Sequence, residues 1–326
     1  MHLDISVVIP VYNEDESLPE LHRWIVSVLE EHNLSAEIIM VDDGSRDRSW
    51  EVISGLSKAD HRVRGVRFPG NQGKSEALQT GFQMARGEVV ITMDADLQDS
   101  PDEIPGLRAM VLEQDFDLVS GWKKKRHDPL EKTLPSKFFN KVTSIVSGIK
   151  LHDFNCGLKA YRNDVVKSIR LYGEMHRYIP LLAKWNGYGR IGERVVEHRA
   201  RKFGVTKFGL ERYLNGFLDL ISVVFVTRFK RKPMHFFGLL GSLSFVVGLF
   251  ITIYVIGDKI YRLYNEMSVR DVVDQPLFFL ALVALIIGTQ LFLAGFLAEL
   301  ILRVNPSRHD APIAETTDAP QEADVP

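Results

Sequence analysis

Residues 88–104 read EVVITMDADLQDSPDEI. The opening EVVITM is a short apolar run rich in β-branched residues, the pattern of a strand buried on both faces. It stops at Asp94-Ala95-Asp96, and Pro101 stands where a proline opens a helix, because its missing N–H would have no intrahelical partner there. Upstream, Ile5–Pro10 (ISVVIP), Ala36–Val41 (AEIIMV) and Val63–Phe68 repeat the strand pattern. Between them Ser17–Glu31, Arg48–Ser57 and Lys74–Ala85 have helical spacing, and downstream Phe116–Ser120 reads as a fifth strand. Strands alternating with helices predict an α/β domain built on a mostly parallel sheet with helices on both faces.

Ligands of such sheets bind beyond the carboxyl ends of the strands. Three strand ends carry polar clusters: Tyr12-Asn13-Glu14, Asp42-Asp43, and Asp94 with Asp96. Acidic residues also cap helices, but three clusters at one sheet edge repel one another unless a cation joins them. Asp94 and Asp96 flank a single residue, and Gln98 adds a neutral oxygen. Hard oxygen donors suit Mg²⁺ or Mn²⁺ rather than Zn²⁺. Mg²⁺ takes one or two carboxylates and completes its shell with water and substrate phosphates, so the expected ligand is a diphosphate. Pro69–Ser75 (PGNQGKS) imitates a phosphate loop, yet Phe68 holds the position of the first glycine in GxxxxGK[ST], and no GxGxxG occurs. Lys74 at a helix start remains a candidate phosphate neighbour. His152 and His176 fit no metal-ligand spacing, and Cys156 reads as buried packing.

Lys plus Arg total 40 and Asp plus Glu 42, a net charge of -2, which gives no support to nucleic-acid binding through bulk charge. One cysteine excludes a disulfide within the chain. No targeting sequence is read at the N-terminus. The C-terminal third differs sharply from the rest. Phe236–Ile256 carries no charge, and Leu277–Leu302 carries only Glu299. A membrane-crossing helix needs ~20 apolar residues, and both runs qualify. Arg228, Lys230, Arg231 and Lys232 precede the first run, and Arg303 and Arg308 follow the second. The positive-inside rule then places both chain ends and the α/β domain in the cytoplasm, with the connecting loop outside. The organisation expected is a catalytic domain over 1–209, an amphipathic juxtamembrane helix over 210–235, spans over 236–256 and 277–302, an extracytoplasmic loop over 257–276 and a disordered tail over 303–326. The two spans offer a surface for homo-oligomers, but neither contains GxxxG.

Read together, VIPVYNE (Val8–Glu14), VDDGSRD (Val41–Asp47), GNQGKSEAL (Gly70–Leu78) and MDADLQDSPDEI (Met93–Ile104) closely resemble family 2 glycosyltransferases of the GT-A fold. HDFNCGLKAYR (His152–Arg162), GEMHRYIP (Gly173–Pro180) and RARKFGVTKFG (Arg199–Gly209) extend the likeness to the branch that acts on polyisoprenyl phosphates, which includes dolichyl-phosphate mannose synthase and undecaprenyl-phosphate sugar transferases. The resemblance covers roughly residues 4–210 and implies a GT-A, Rossmann-like catalytic domain with a mostly parallel sheet. It implies that Pro10, Tyr12, Glu14, Asp42 and Asp43 hold the donor nucleotide and that Asp94, Asp96 and Gln98 form the metal and diphosphate site. It further implies that Lys123, Lys137 and the neighbouring Arg126 grip the lipid phosphate, that Asp153 is an active-site acid, and that Arg199, Arg201 and Lys207 sit on a loop closing over the phosphates. Where the family loop reads SKY this chain has Thr206-Lys207-Phe208, so the tyrosine hydroxyl is absent.

The expected activity is that of a membrane-anchored inverting glycosyltransferase at the cytoplasmic face of the plasma membrane. It would pass a sugar from a nucleotide-diphosphate donor to a polyisoprenyl phosphate for cell-envelope glycan or glycolipid synthesis. The acceptor chemistry agrees. A phosphate monoester with a second pKa near ~6 is largely dianionic at neutral pH and needs no general base. A processive polysaccharide synthase would carry QxxRW, which does not occur. A non-catalytic membrane scaffold would not need the acid clusters.

Overall fold

The computed structural model describes residues 3–124, 140, 143–145, 147–199, 233–268 and 271–304. The chain divides into two compact units, Met1–Val224 and Phe225–Pro326.

The first unit is a seven-stranded sheet flanked by helices. In chain order its described elements are β1 (Ile5–Val11), α1 (Leu18–Glu31), β2 (Ala36–Asp42), α2 (Ser49–Ala59), β3 (Val63–Arg67), α3 (Lys74–Met84), β4 (Val89–Thr92), α4 (Ile104–Leu112), β5 (Leu118–Trp122), β6 (Lys159–Arg162), α5 (Asn163–Ser168), α6 (Ile179–Trp185) and β7 (Ile191–Val195). A 3₁₀ turn, Pro101–Glu103, precedes α4, so Pro101 opens the helical segment as expected. The strands lie in the order β3-β2-β1-β4-β6-β5-β7. The β1–β2, β2–β3, β1–β4 and β5–β7 pairs are parallel, and β6 runs antiparallel to both β4 and β5.

Alternation along the central strands sorts the core into two layers. Ile5, Val7, Ile9 and Val11 pack with Leu21 and Ile25 of α1 and Leu107 of α4. Val8, Ile39 and Val41 face the other way, onto Phe82 of α3 and Val166 of α5. At the amino edge of the sheet the buried Glu37 carboxylate accepts from Ser6, Arg64 and Arg86 at 2.8–3.1 Å. Burial opposes its charge, but the two guanidiniums win and hold its pKa below the usual carboxylate range.

Two features depart from the sequence reading. The fifth strand begins at Leu118 rather than Phe116, because Asp115 takes a positive φ of 59° and Phe116 turns onto the core beside Gly192. Strands β6 and β7 were not anticipated: KAYR is too short, and too charged at its ends, to show an apolar alternation.

The second unit is a pair of helices, α7 (Pro233–Tyr264) and α8 (Pro276–Val304). Both are long and apolar enough to cross a membrane. Helix α7 runs about two turns beyond Ile256, where Arg262 and Asp258 pair at 2.8 Å across one turn. The segments 210–232 and 305–326 lie outside the described residues.

Candidate active site

Parallel pairing puts the polar ends of β2, β1 and β4 side by side. Val11 is opposite Asp42, and Val8 is opposite Thr92, two residues before Asp94. Asp42 is fully buried; its carboxylate accepts from Ser45 N–H at 2.9 Å and meets Arg67 Nε at 3.2 Å. Asp43 accepts from the backbone N–H groups of Gln72 and Gly73, at 2.6 and 3.0 Å. Burial pushes the Asp43 pKa up, against those two donors. The two carboxylates therefore brace the loops that follow β2 and β3. Gly44, at φ 69°, lets these loops touch backbone to backbone, since a Cβ there would stand 2.4 Å from the Gly70 carbonyl carbon. Between the loops lies a cleft of about 660 Å³ lined by Tyr12, Ser45, Arg46, Arg67, Phe68 and Asn71 among others. Glu14 closes the turn into α1 by accepting from the Ser17 hydroxyl at 3.2 Å.

Beyond β4 the chain makes a tight loop, with Leu97 at φ 60°. Lys74, the first residue of α3, places Nζ 2.5 Å from Asp94 Oδ1. Gly157 backs the same carboxylate so closely that a Cβ would lie 2.5 Å from Asp94 Oδ2. Burial works against ionisation of Asp94, but the Lys74 and Lys123 ammoniums override it and hold the carboxyl far below its usual range. Asp96 Oδ1 accepts from Gln98 N–H at 3.2 Å. Lys123 points inward: its Nζ lies 2.7 Å from Asp99 Oδ1, and the side chain is 14% exposed. Pro10 borders the crevice behind Asp94 together with Lys74, Lys159 and His176.

Asp153 is buried beside β5. Its carboxylate accepts from Asn155 N–H at 3.0 Å, and its own N–H donates to Glu193 of β7 at 3.1 Å. Glu193 also binds His152 Nδ1 at 2.7 Å. Arg199 donates its N–H to Gln98 O at 2.9 Å, while its guanidinium lies 4.2 Å from the Trp24 ring centre. With the Asp99–His198 bridge, this ties the start of the segment leading to Arg201 and Lys207 to the Asp96 loop. Arg126, Lys137, Arg201 and Lys207 lie outside the described residues. Arg67, Gly157, Lys159, Arg177 and Glu193 escaped the sequence reading. Gly157 and Lys159 both stand in HDFNCGLKAYR, where a glycine two residues before a lysine at the start of a strand is the signal that could have found them.

Among the described residues no three His, Cys, Asp or Glu side chains group closely enough to hold a metal by themselves. Asp94, Asp96 and Gln98 nevertheless offer two carboxylates and an amide oxygen on one loop. That donor set fits a hard divalent ion whose remaining ligands come from a diphosphate and water.

The family model for glycosyl transferase family 2 matches residues 6–170. The chain is 37% identical over 309 residues to a dodecaprenyl-phosphate galacturonate synthase of Rhizobium johnstonii, covering 92% of this chain and 88% of that protein. It is 35% identical over 307 residues to an undecaprenyl-phosphate 4-deoxy-4-formamido-L-arabinose transferase of Shewanella sediminis, covering 92% and 87%. Glucosyl-3-phosphoglycerate synthase of Mycobacterium tuberculosis, solved with Mn²⁺ and UDP-glucose, shares the fold at a TM-score of 0.54 and 20% identity, over 69% of this chain and 79% of that one.

Proposed function

The chain belongs to glycosyltransferase family 2, and from that membership we propose that it moves one sugar, with inversion, from a nucleoside diphosphate donor to a polyprenyl phosphate. The observation that carries the reading is the Asp94–Asp96 loop at the end of β4, one strand away from an open cleft of nucleotide size. The relatives named for dodecaprenyl- and undecaprenyl-phosphate transfer support the acceptor class. The apolar helices α7 and α8 fit a membrane anchor, which brings the enzyme to an acceptor that stays in the bilayer.

In this reading Tyr12 and the loops braced by Asp42 and Asp43 hold the nucleotide, and Glu14 fixes the turn beneath it. Asp94, Asp96 and Gln98 would hold a divalent ion, Mg²⁺ or Mn²⁺, whose charge would offset that of the departing diphosphate. Lys74 adds a fixed ammonium at a helix amino end. The acceptor phosphate, already dianionic, attacks the anomeric carbon without a base. The protein aligns two anions that would otherwise repel, a task for Arg126, Lys137, Arg199, Arg201 and Lys207. Lys123, expected from the sequence to grip the lipid phosphate, is instead paired inward with Asp99 and acts on Asp94 through its charge. Asp153, buried and bonded, orients the segment that follows it.

The purified full chain in lipid nanodiscs, given labelled UDP- and GDP-sugars, undecaprenyl phosphate and Mn²⁺ or Mg²⁺, should yield a lipid carrying one sugar. No labelled lipid with any donor overturns the proposal. Asp96→Ala should lower turnover at least ~100-fold with an unchanged circular-dichroism spectrum. Full activity there would remove the metal assignment.

A further inference from the structure

The crevice behind Asp94 carries more positive charge than that carboxylate answers. Its lining includes three cations, Lys74, Lys159 and Arg177, and a single carboxylate, Asp94. Asp94 is already engaged by Lys74 at 2.5 Å. Lys159 is 3% exposed, and the hydrogen bond its Nζ donates runs to the carbonyl of Cys156 rather than to a carboxylate. Burial lowers its pKa, and Lys74 adds to the effect, while Asp153 and Asp94 favour its charge from nearby. Arg177 is 7% exposed; Glu174 meets its NH2 group at 2.8 Å from the more exposed side, and its buried Nε has no hydrogen-bond partner.

His176 completes the lining. The Ser75 hydroxyl accepts from the His176 backbone N–H at 3.0 Å and shares a second hydrogen bond with His176 Nδ1 at 3.1 Å. In the tautomer in which Nδ1 accepts from that hydroxyl, Nε2 bears the hydrogen and is a neutral donor. Burial and the neighbouring Lys74 and Arg177 keep the ring uncharged. Cations packed together away from water repel one another and keep unmet donor capacity until an anion joins them.

We propose, building on the glycosyltransferase reading, that this crevice is a subsite for a substrate oxyanion, held by Lys159, Arg177 and His176. Two groups of that chemistry reach such a site: a carboxylate on the transferred sugar, as in a glycuronosyl donor, or the phosphate of the lipid acceptor.

The test is calorimetry on the full chain in nanodiscs. UDP with Mn²⁺ is titrated first, and its binding reads the nucleotide site alone. With both saturating, methyl galacturonoside, methyl galactoside and inorganic phosphate are then titrated separately. Heat from the galacturonoside, with none from the galactoside, assigns the subsite to the donor sugar; heat from phosphate assigns it to the acceptor. In either case Lys159→Met should weaken the anion at least tenfold, Lys159→Arg should recover most of it, and UDP affinity should stay within about twofold. If Lys159→Met fails to fold, Arg177→Met reads the same loss. No heat from either anion at ~10 mM, or equal affinity in wild type and the folded variant, overturns the subsite. A chain that fails to bind UDP counts against the donor reading instead, and the phosphate titration is still read without it.

Discussion

Gly157 carries no side chain because the Asp94 carboxylate fills the space a Cβ would take. Gly157→Ala should push that carboxylate off its position and lower kcat/KM at least about tenfold, since misplacement on the ångström scale is costly at a reacting centre. The melting temperature should shift little, and steady-state kinetics beside a thermal melt separate the two effects. Cys156, its neighbour, is inert for a different reason. Burial, with help from Asp99, pushes its thiol up to about 12, so at pH 8 it should resist maleimide in the folded chain and react on unfolding. At Asp60 burial raises the pKa, but bonds from Arg62 and His22 outweigh it and bring the pKa down to about 2. A carboxyl depressed in the folded state stabilises above its unfolded pKa of ~3.9, and that stability is lost as pH falls toward 2, up to roughly 2 kcal/mol in all. The stability gap between wild type and Asp60→Asn, read by urea unfolding, should therefore shrink between pH 5 and pH 2.5.

Among the elements, the helix pair shows how glycine sets distance. A Cβ on Gly241 would stand 2.7 Å from Gly288 O, and one on Gly288 would stand 2.8 Å from Gly241 O. Gly248 meets Ala281 O and Leu285, and Gly295 meets Phe237, so glycines seven residues apart on each helix line one shared seam. Ser244 Oγ adds a hydrogen bond to Ala284 O at 2.9 Å. In a bilayer such close backbone approach takes the place of hydrophobic driving force. The seam lies between the two helices of one chain, which explains why the absence of GxxxG did not forbid tight packing. Gly241→Leu should force the helices apart and shorten the half-life of activity in detergent at 37 °C several-fold, whereas the outward Leu239→Ala should not. Helix α7, with 32 residues, is about 48 Å long and exceeds a ~30 Å hydrocarbon core.

For the whole molecule, the basic residues flanking the two apolar runs predict both chain ends on one side of a membrane. Cysteines introduced by Ser268→Cys and Ser307→Cys test it against a silent background, because Cys156 is buried. An impermeant maleimide added to intact cells should label position 268, and position 307 only after permeabilisation; the opposite pattern would reverse the orientation.

Much of this was legible along the chain. Buried strands announce themselves as apolar runs, their polar ends mark the sheet edge where ligands bind, and uncharged stretches of bilayer length mark the anchor helices. These are local properties, fixed by side-chain character and the periods of helix and strand. The antiparallel insertion of β6 between β4 and β5 was decided only by tertiary structure. That pairing joins residues some 70 apart in sequence, Thr92 with Lys159, and so carries Lys159 beneath Asp94. Lys123 turned inward to Asp99, and Arg199 came to rest on Trp24, for the same reason: each partner lies far away along the chain, and only the closed fold brings the charges within reach of one another.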